Sequence, residues 1–361
     1  MALKKRIKRV ALFCIVTMLA LAFLSYYYNV EITNTAGNVI KDIVNENPLN
    51  IPHISSLPLK PKNQEILNEG LNEGLETRPV VLFCPRDSCS KNIVFLLNNS
   101  NKIHCAFFEL SLKEIIDILK EKNASVVIDS QNYDAKLQSL NIRKDKGSAY
   151  MHNKFCVLDD KIVITGSMNP TVNDDSRNNN NIIIFFSKNL AKNYEDEFNE
   201  LWSGQFGRGN IIENPIINIG NITIKNYFCP EDWCANKIMD EISNANKSIY
   251  FMVFSFTHDK IGDLLVKKHE EGILIKGIFE KSQNSTYSEF QKLKDRGIDV
   301  RFDKNNNIMH HKVFIIDNET VITGSFNPSL NADTRNDENI VIIKDTEIAK
   351  KYIEEFSYLF G

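Results

Sequence analysis

The chain reads as an α/β protein built from two similar half-domains, each a mixed sheet flanked by helices, packed about a pseudo-two-fold and preceded by one N-terminal transmembrane helix. Three observations lead there. A long stretch is written twice, strand-like and helix-like segments alternate within each copy, and a basic start precedes an uncharged apolar run.

The duplication is clearest at Met151–Asp159 followed by Thr165–Pro170, which recurs as Met309–Asp317 followed by Thr323–Pro328; both copies obey H-x-K-x4-D-x6-G-S-x-N. Six fixed positions arise by chance about once in 10^8 starts, so two copies in one chain require an explanation. An offset of 158 carries His152 onto His310, and also Arg177 onto Arg335, Ala191 onto Ala349, Tyr194 onto Tyr352 and Phe198 onto Phe356. Upstream, Phe83–Cys89 aligns with Phe228–Cys234 at an offset of 145, so the second copy holds 13 extra residues, expected within 255–308. So long a period excludes a solenoid and indicates two fused half-domains. With 361 residues, 43% hydrophobic and 25% charged, the chain can bury one large core or two medium ones.

The opening residues differ in kind. Lys4, Lys5, Arg6, Lys8 and Arg9 precede an uncharged run from Val10 to Tyr28, 19 residues that at ~1.5 Å each nearly span the hydrocarbon core of a bilayer. A cleaved signal peptide shares the basic start, but no clear small-residue cleavage site precedes Tyr26. The charge bias places the N-terminus in the cytoplasm and the remainder outside, or secreted if the run is cleaved. Residues 29 to 78, with Pro48, Pro52, Pro58 and Pro61 and a short amphipathic run from Gln64 to Glu76, read as a tether. The chain thus divides into a basic segment 1–9, a span 10–28, a linker 29–78, a first repeat 79–208 and a second repeat 209–361.

Each repeat reads as strand, helix, strand, then a hairpin, a strand and a closing helix. Residues 80–84, 126–129, 248–254 and 273–279 look like buried strands, and 112–122, 261–270, 190–202 and 347–359 have helical spacing. His152 and Lys154, two apart on a strand, share a face while Asn153 points away. Asp159-Asp160-Lys161 is a turn signal. A turn centred near 160 sets position 168 opposite His152 and 166 opposite Lys154, so Ser167 and Asn169 arrive beside the pair. Centred on 318, the same arithmetic brings Ser325 and Asn327 to His310 and Lys312.

Each half therefore offers an imidazole, an ammonium, a hydroxyl and a carboxamide on one patch. Ammonium and amide N–H groups suit a phosphate's non-bridging oxygens, and two imidazoles can divide the work of nucleophile and general acid. A phosphodiester fits that set.

On these motifs the chain, over about residues 80 to 361, resembles the phospholipase D superfamily in its two-motif form. The resemblance implies a metal-independent reaction with no cofactor, in which one histidine attacks phosphorus and the other protonates the leaving oxygen, then activates water. Carried over, the candidate catalytic set is His152, Lys154, Asp159, His310, Lys312, Asp317 and Glu338. The phosphate-binding candidates are Ser167, Asn169, Ser325 and Asn327, with Lys154 and Lys312 sharing that task. Asp159 and Asp317, at the turn, are assigned to orienting the hairpin.

The copies differ at one informative place: Arg335-Asn336-Asp337-Glu338-Asn339 faces Arg177-Asn178-Asn179-Asn180-Asn181. A carboxylate behind an imidazole raises its basicity, and an amide supplies no charge. Glu338 is accordingly taken to back His310, which makes His310 the nucleophile and His152 the general acid; Asp174 or Asp175 could substitute for Asn180.

The C-x4-C pairs Cys84/Cys89 and Cys229/Cys234 read as local disulfides in an oxidising compartment, with a four-cysteine zinc site as the lesser alternative. Cys105 and Cys156 read as small core residues.

The leaving group stays open. Without the five basic residues of the N-terminal segment, 38 basic face 46 acidic side chains, net −8. A nuclease normally presents a basic face, so a membrane-tethered acidic domain favours phospholipid; a DNA or RNA endonuclease is the alternative, and an inactive phosphate-ester-binding surface module the third reading.

Overall fold

The computed structural model describes residues 67–71 and 77–361 apart from Ser148. The basic segment 1–9, the span 10–28 and most of the linker lie outside the described residues. Among the described residues no helix is long and apolar enough to cross a membrane. Residues 67–71 are helical, and Leu67 is fully buried in the core of the first half, so this part of the expected tether is packed.

The first half runs β1 (Val80–Cys84), α1 (Cys89–Asn98), β2 (Ile103–Phe107), α2 (Lys113–Glu121), β3 (Ser125–Ile128), β4 (Asn141–Lys144), β5 (Lys154–Leu158), β6 (Ile162–Gly166), α3 (Val172–Ser176), β7 (Asn180–Phe186) and α4 (Lys188–Ser203). The second half begins with a hairpin, β8 (Ile216–Ile219) and β9 (Ile222–Cys229). It then repeats the order: α5 (Cys234–Ser243), β10 (Ser248–Val253), α6 (Asp259–Glu270), β11 (Leu274–Phe279), α7 (Glu289–Asp295), β12 (Asp299–Phe302), β13 (Lys312–Ile316), β14 (Thr320–Gly324), α8 (Leu330–Thr334), β15 (Glu338–Lys344) and α9 (Thr346–Phe360). The seven-stranded sheet has the order β1-β7-β6-β5-β2-β3-β4, and the eight-stranded sheet repeats it with β8 added beside β9. Both are mixed: β2-β3-β4 and β10-β11-β12 run parallel, and the remaining pairs are antiparallel.

The 13 extra residues do not form one block. By sheet register Tyr250 stands where His104 does, Lys276 where Ser125 does, and Asp299 where Asn141 does. Those offsets are 146, 151 and 158. One extra residue therefore falls before β10, five in the α6 crossover and seven in the crossover that holds α7.

Helix faces follow the apolar spacing. In α2, Ile115, Ile116, Ile118 and Leu119 are buried, and they pack with α1 on the outer face of the first sheet. The closing helix α4 is capped by the Ser187 side chain, which accepts from Leu190 N, and stops at Gly204, whose φ of 94° suits a helix C-terminus. Leu190, Tyr194 and Phe198 of α4 and Ile348, Tyr352 and Phe356 of α9 join one central core with Phe155, Val157, Val313 and Ile315. The two sheets thus share a core, and the closing helices fill the space between them.

Three disulfides are present among the described residues. Cys84–Cys89 and Cys229–Cys234 close the turns into α1 and α5, as the spacing suggested. Cys105 and Cys156, expected as separate core residues, instead form a third bond between β2 and β5. The register makes them direct cross-strand partners, 4.1 Å apart at Cα, a relation that their 51-residue separation conceals.

Candidate active site

The two hairpins carry the motif, and their register is the one the turn arithmetic requires. Phe155 pairs with Thr165 and Phe314 with Ile322, which sets Lys154 against Gly166 and Lys312 against Gly324. Asp159 and Asp160 have φ of 50° and 53°, and Lys161 N donates to Leu158 O, closing a tight turn through two left-handed residues; Asp317 and Asn318 do the same. Gly166 has φ 145°, and a Cβ there would fall on the carbonyl oxygen of Asn181; Gly324 meets Asn339 in the same way. That close approach lets Ser167 N donate to Asn181 O at 2.9 Å and Ser325 N to Asn339 O at 3.0 Å.

The halves are stitched together at the site. His152 N donates to Asp337 O and Asp337 N to Tyr150 O, both at 2.9 Å, while Asn179 N donates to Ile308 O and His310 N to Asn179 O, both at 2.8 Å. The segment before each histidine therefore pairs with the start of the other half's last strand.

This exchange overturns the expectation that each half serves its own histidine. Glu338 backs His152, with Nδ1 2.8 Å from Oε2, and Asn180 backs His310, with Nδ1 3.0 Å from Oδ1. A carboxylate of α3, Asp174 Oδ2, lies 3.6 Å from His310 Nδ1, whereas Asp175 is occupied by Ser90 N. The assignment of Glu338 to His310 does not stand.

Lys154 and Lys312 are 3% exposed, and each donates to the carbonyl of its own histidine, Nζ to His152 O at 2.6 Å and to His310 O at 2.7 Å. Phe108 and Phe254, which sequence reasoning missed, complete each patch. Phe108 lies edge-on to His152 and under the Lys154 ammonium; Phe254 does the same for His310 and Lys312. Their one sequence signal is position, each directly after an apolar strand at equivalent places in the two copies.

The Ser167 hydroxyl donates to Asn180 Oδ1 at 2.9 Å, so it positions the amide that meets His310. Asn169 N and Nδ2 both donate to Asp174 Oδ2, at 2.8 and 3.0 Å. Asn169 Oδ1 and Asn327 Oδ1 are buried without a partner, equivalent atoms at equivalent sites. Each amide therefore keeps an unused acceptor, and Asn169 Nδ2, bonded to Asp174 through one N–H, has a second N–H to give.

Burial dominates the electrostatics. It pushes Lys154 down to about 8 against the pull of Glu338, and drives Lys312 well below the usual ammonium range with help from the Lys154 charge. Both imidazoles are held well below their ordinary value, first by burial and then by the lysines. Burial likewise lifts Glu338 to about 8, opposed by Lys154. An entering anion would favour the charged form of every lysine and histidine here.

Asn153 and His311, each between a histidine and lysine of the motif, point to the seam of the halves. Asn153 Nδ2 donates to Glu197 Oε1 at 3.3 Å and its Oδ1 accepts from Asn339 Nδ2 at 2.7 Å; His311 contacts Asn181 and Glu355. Glu197, Glu200 and Glu231 form a trio whose carboxylate oxygens lie within 4.8 Å of one another. The equivalent corner of the other half holds Arg86 paired with Glu355.

Asp159 and Asp317 lie at the far end of the hairpins from the imidazoles. Asp159 accepts from Asn101 N and Lys102 N, and Asp317 from Asn246, Lys247 and Ser248 N. They anchor the turn to the start of β2 or β10, the orienting task.

Comparison with known proteins agrees with this geometry. The family described as "Cardiolipin synthase, PLD-like domain" matches residues 93–202 and 238–360. A phospholipase D of Rickettsia bellii is 33% identical over 142 residues, 39% of this chain and 71% of that protein. A mitochondrial cardiolipin hydrolase of Chlamydomonas reinhardtii is 32% identical over 126 residues, 35% of this chain and 56% of the relative. The crystal structure of a phosphatidylserine synthase of Haemophilus influenzae superposes with a TM-score of 0.59 at 13% identity, covering 82% of this chain and 90% of that one, which attests the fold. With both repeats matched and both motifs assembled at one seam, the chain belongs to the phospholipase D superfamily of phosphodiesterases.

Proposed function

We propose that the protein cleaves phospholipids by a two-step displacement through a covalent phosphohistidine, with His152 as nucleophile and His310 as general acid. The observation that carries this reading is the Glu338–His152 contact at 2.8 Å. Glu338 at Nδ1 holds a proton between the two groups, which leaves the Nε2 lone pair for phosphorus; burial lifts its own pKa to about 8, and the cation that forms on attack draws it to the carboxylate form that stabilises the ring.

In the first step the Nε2–P bond forms and the bond from phosphorus to the headgroup oxygen breaks, with the His310 proton going to the departing alcohol. In the second, His310 takes a proton from water, the water oxygen bonds to phosphorus and the P–Nε2 bond breaks, releasing phosphatidic acid. Lys154, Lys312, Asn169 and Asn327 donate to the non-bridging oxygens throughout.

Lipid as substrate is supported by the relatives' names and by exposed apolar side chains flanking the site. Val172 and Leu330, at equivalent first positions of α3 and α8, are 56% and 64% exposed, three residues after Asn169 and Asn327. The three disulfides support an extracytoplasmic domain, held at the membrane by the N-terminal apolar run.

The test is a substrate panel with the full chain in detergent and EDTA: phosphatidyl lipids with and without a primary alcohol, single-stranded DNA, and RNA. Hydrolysis of lipid, transfer to the alcohol, and label retained on His152 after an alkaline denaturing quench are expected. Cleaved oligonucleotide with inert lipid would overturn the substrate, and label on His310 would overturn the division of roles.

A further inference from the structure

The two halves differ at two positions that complement each other. The offset of 158 sets Asn180 against Glu338 and Asp174 against Ala332. Where the second half has alanine on its short helix and a carboxylate at the start of its last strand, the first half has a carboxylate on the helix and an amide on the strand. Each half thus retains one acid, and the two acids reach different histidines. Glu338 contacts His152 at 2.8 Å, and Asp174 Oδ2 lies 3.6 Å from His310 Nδ1, with Asn180 Oδ1 at 3.0 Å beside it.

We propose that Asp174 is the positioning residue of His310: it supplies from α3 the counter-charge that Asn180 cannot, while Asn180 supplies the direct hydrogen bond that orients the ring. The task held by one residue, Glu338, on the His152 side is divided between two residues here. The inference rests on the phosphodiesterase reading and extends it to the acid of the first step.

The surroundings fit. Asp174 is 4% exposed, and its Oδ2 accepts from Asn169 N and Nδ2 while Oδ1 accepts from Asn178 Nδ2 at 2.6 Å. Burial works against its charge, but His310 and these donors outweigh burial and hold the carboxyl below its ordinary range. The charged and titratable groups that bear on His310 are Lys312 on its own strand, Lys154 and His152 from the other half, and Asp174. Of these Asp174 alone favours the imidazolium, the form a general acid must hold before the leaving group departs. Asp175, also acidic and one residue on, is committed to Ser90 N on another side of the helix.

Asp174 also fixes the Asn169 loop, so loss of activity alone would not separate the two roles. The decisive set is Asp174→Asn, Asp174→Ala, and the double variant Asp174→Ala/Asn180→Glu, which copies the Ala332/Glu338 pattern. His310 is followed in the full chain by NMR titration of ring-labelled histidine, and turnover of bis(p-nitrophenyl) phosphate is followed against pH. Both single variants should lower the His310 pKa by about one unit or more and shift the acid-dependent limb equally, with kcat falling more than KM rises. The double variant should restore both. A His310 titration unmoved by Asp174→Asn, or activity not recovered when the charge is returned at position 180, would overturn the proposal. If the wild type turned over no diester, the functional reading would fail while the titration still reported on Asp174.

Discussion

His152 Nδ1 of the first half lies 2.8 Å from Glu338 Oε2 of the second, a hydrogen-bonded pair formed between the two repeats. Each half is thus incomplete by itself. The exchange follows from backbone pairing, since His152 N donates to Asp337 O and so seats residue 338 behind the imidazole.

Glu338→Gln keeps the shape and removes the charge. The cation formed on attack is then unsupported, and kcat should fall by about 10^2 to 10^4-fold with a much smaller change in KM. Single-turnover kinetics should show the loss in phosphoenzyme formation. A variant with wild-type kcat would remove Glu338 from the chemistry.

Anion binding should depend on pH in a defined direction. Burial holds Lys154 at about 8 in the free protein, and a bound anion raises it toward the ordinary ammonium value. The free form loses its proton first, so affinity for sulfate should fall as pH rises through about 8, roughly tenfold per unit for one proton. Calorimetry between pH 6 and 10 reads this directly, and affinity flat across that range would contradict it.

The cross-strand disulfide should matter more for stability than either local one. Cys105–Cys156 closes a 51-residue separation and ties β2 to the strand carrying Lys154, whereas Cys84–Cys89 closes five. Replacing Cys105 and Cys156 by alanine should cost about 2–4 kcal/mol in denaturant unfolding, and replacing Cys84 and Cys89 clearly less. The reverse order would count against a loop-closure account.

Glu231 stands where the other half has Arg86, which pairs with Glu355 and lies over the Tyr358 ring; Glu231 instead faces Glu197 and Glu200. Its Oε2 is buried without a partner, and burial pushes its pKa up to about 7. An acid with a raised folded pKa loses stability as pH rises from its ordinary range through the folded value, so the penalty is complete above about pH 7. Glu231→Arg should therefore raise stability by on the order of 1–3 kcal/mol, most visibly at pH 8 and least at pH 5. A lowered melting temperature at pH 8 would refute this.

Val172→Glu and Leu330→Glu test the lipid surface. Both side chains are exposed and remain outside the proposed chemistry. The double variant should lose about tenfold or more on phospholipid vesicles and keep its rate on bis(p-nitrophenyl) phosphate. Equal loss on both substrates would place these residues in the site itself.

Within each half, the sequence by itself determined the hairpins, the parity that puts His152 with Lys154, and the arrival of Ser167 and Asn169, because these depend on local pairing across a three-residue connection. The same locality made the C-x4-C disulfides and the closing helices legible. The Cys105–Cys156 bond was hidden because it needs β2 beside β5, a pairing set by sheet order rather than by neighbours in sequence. Only the tertiary structure decided which half serves which imidazole: Glu338, Asn180 and Asp174 were all visible as residues, but their partners lie across a seam whose register no local period encodes. The two halves share a core, and β7 and β15 begin against each other's histidine segments, so the site's asymmetry belongs to their packing.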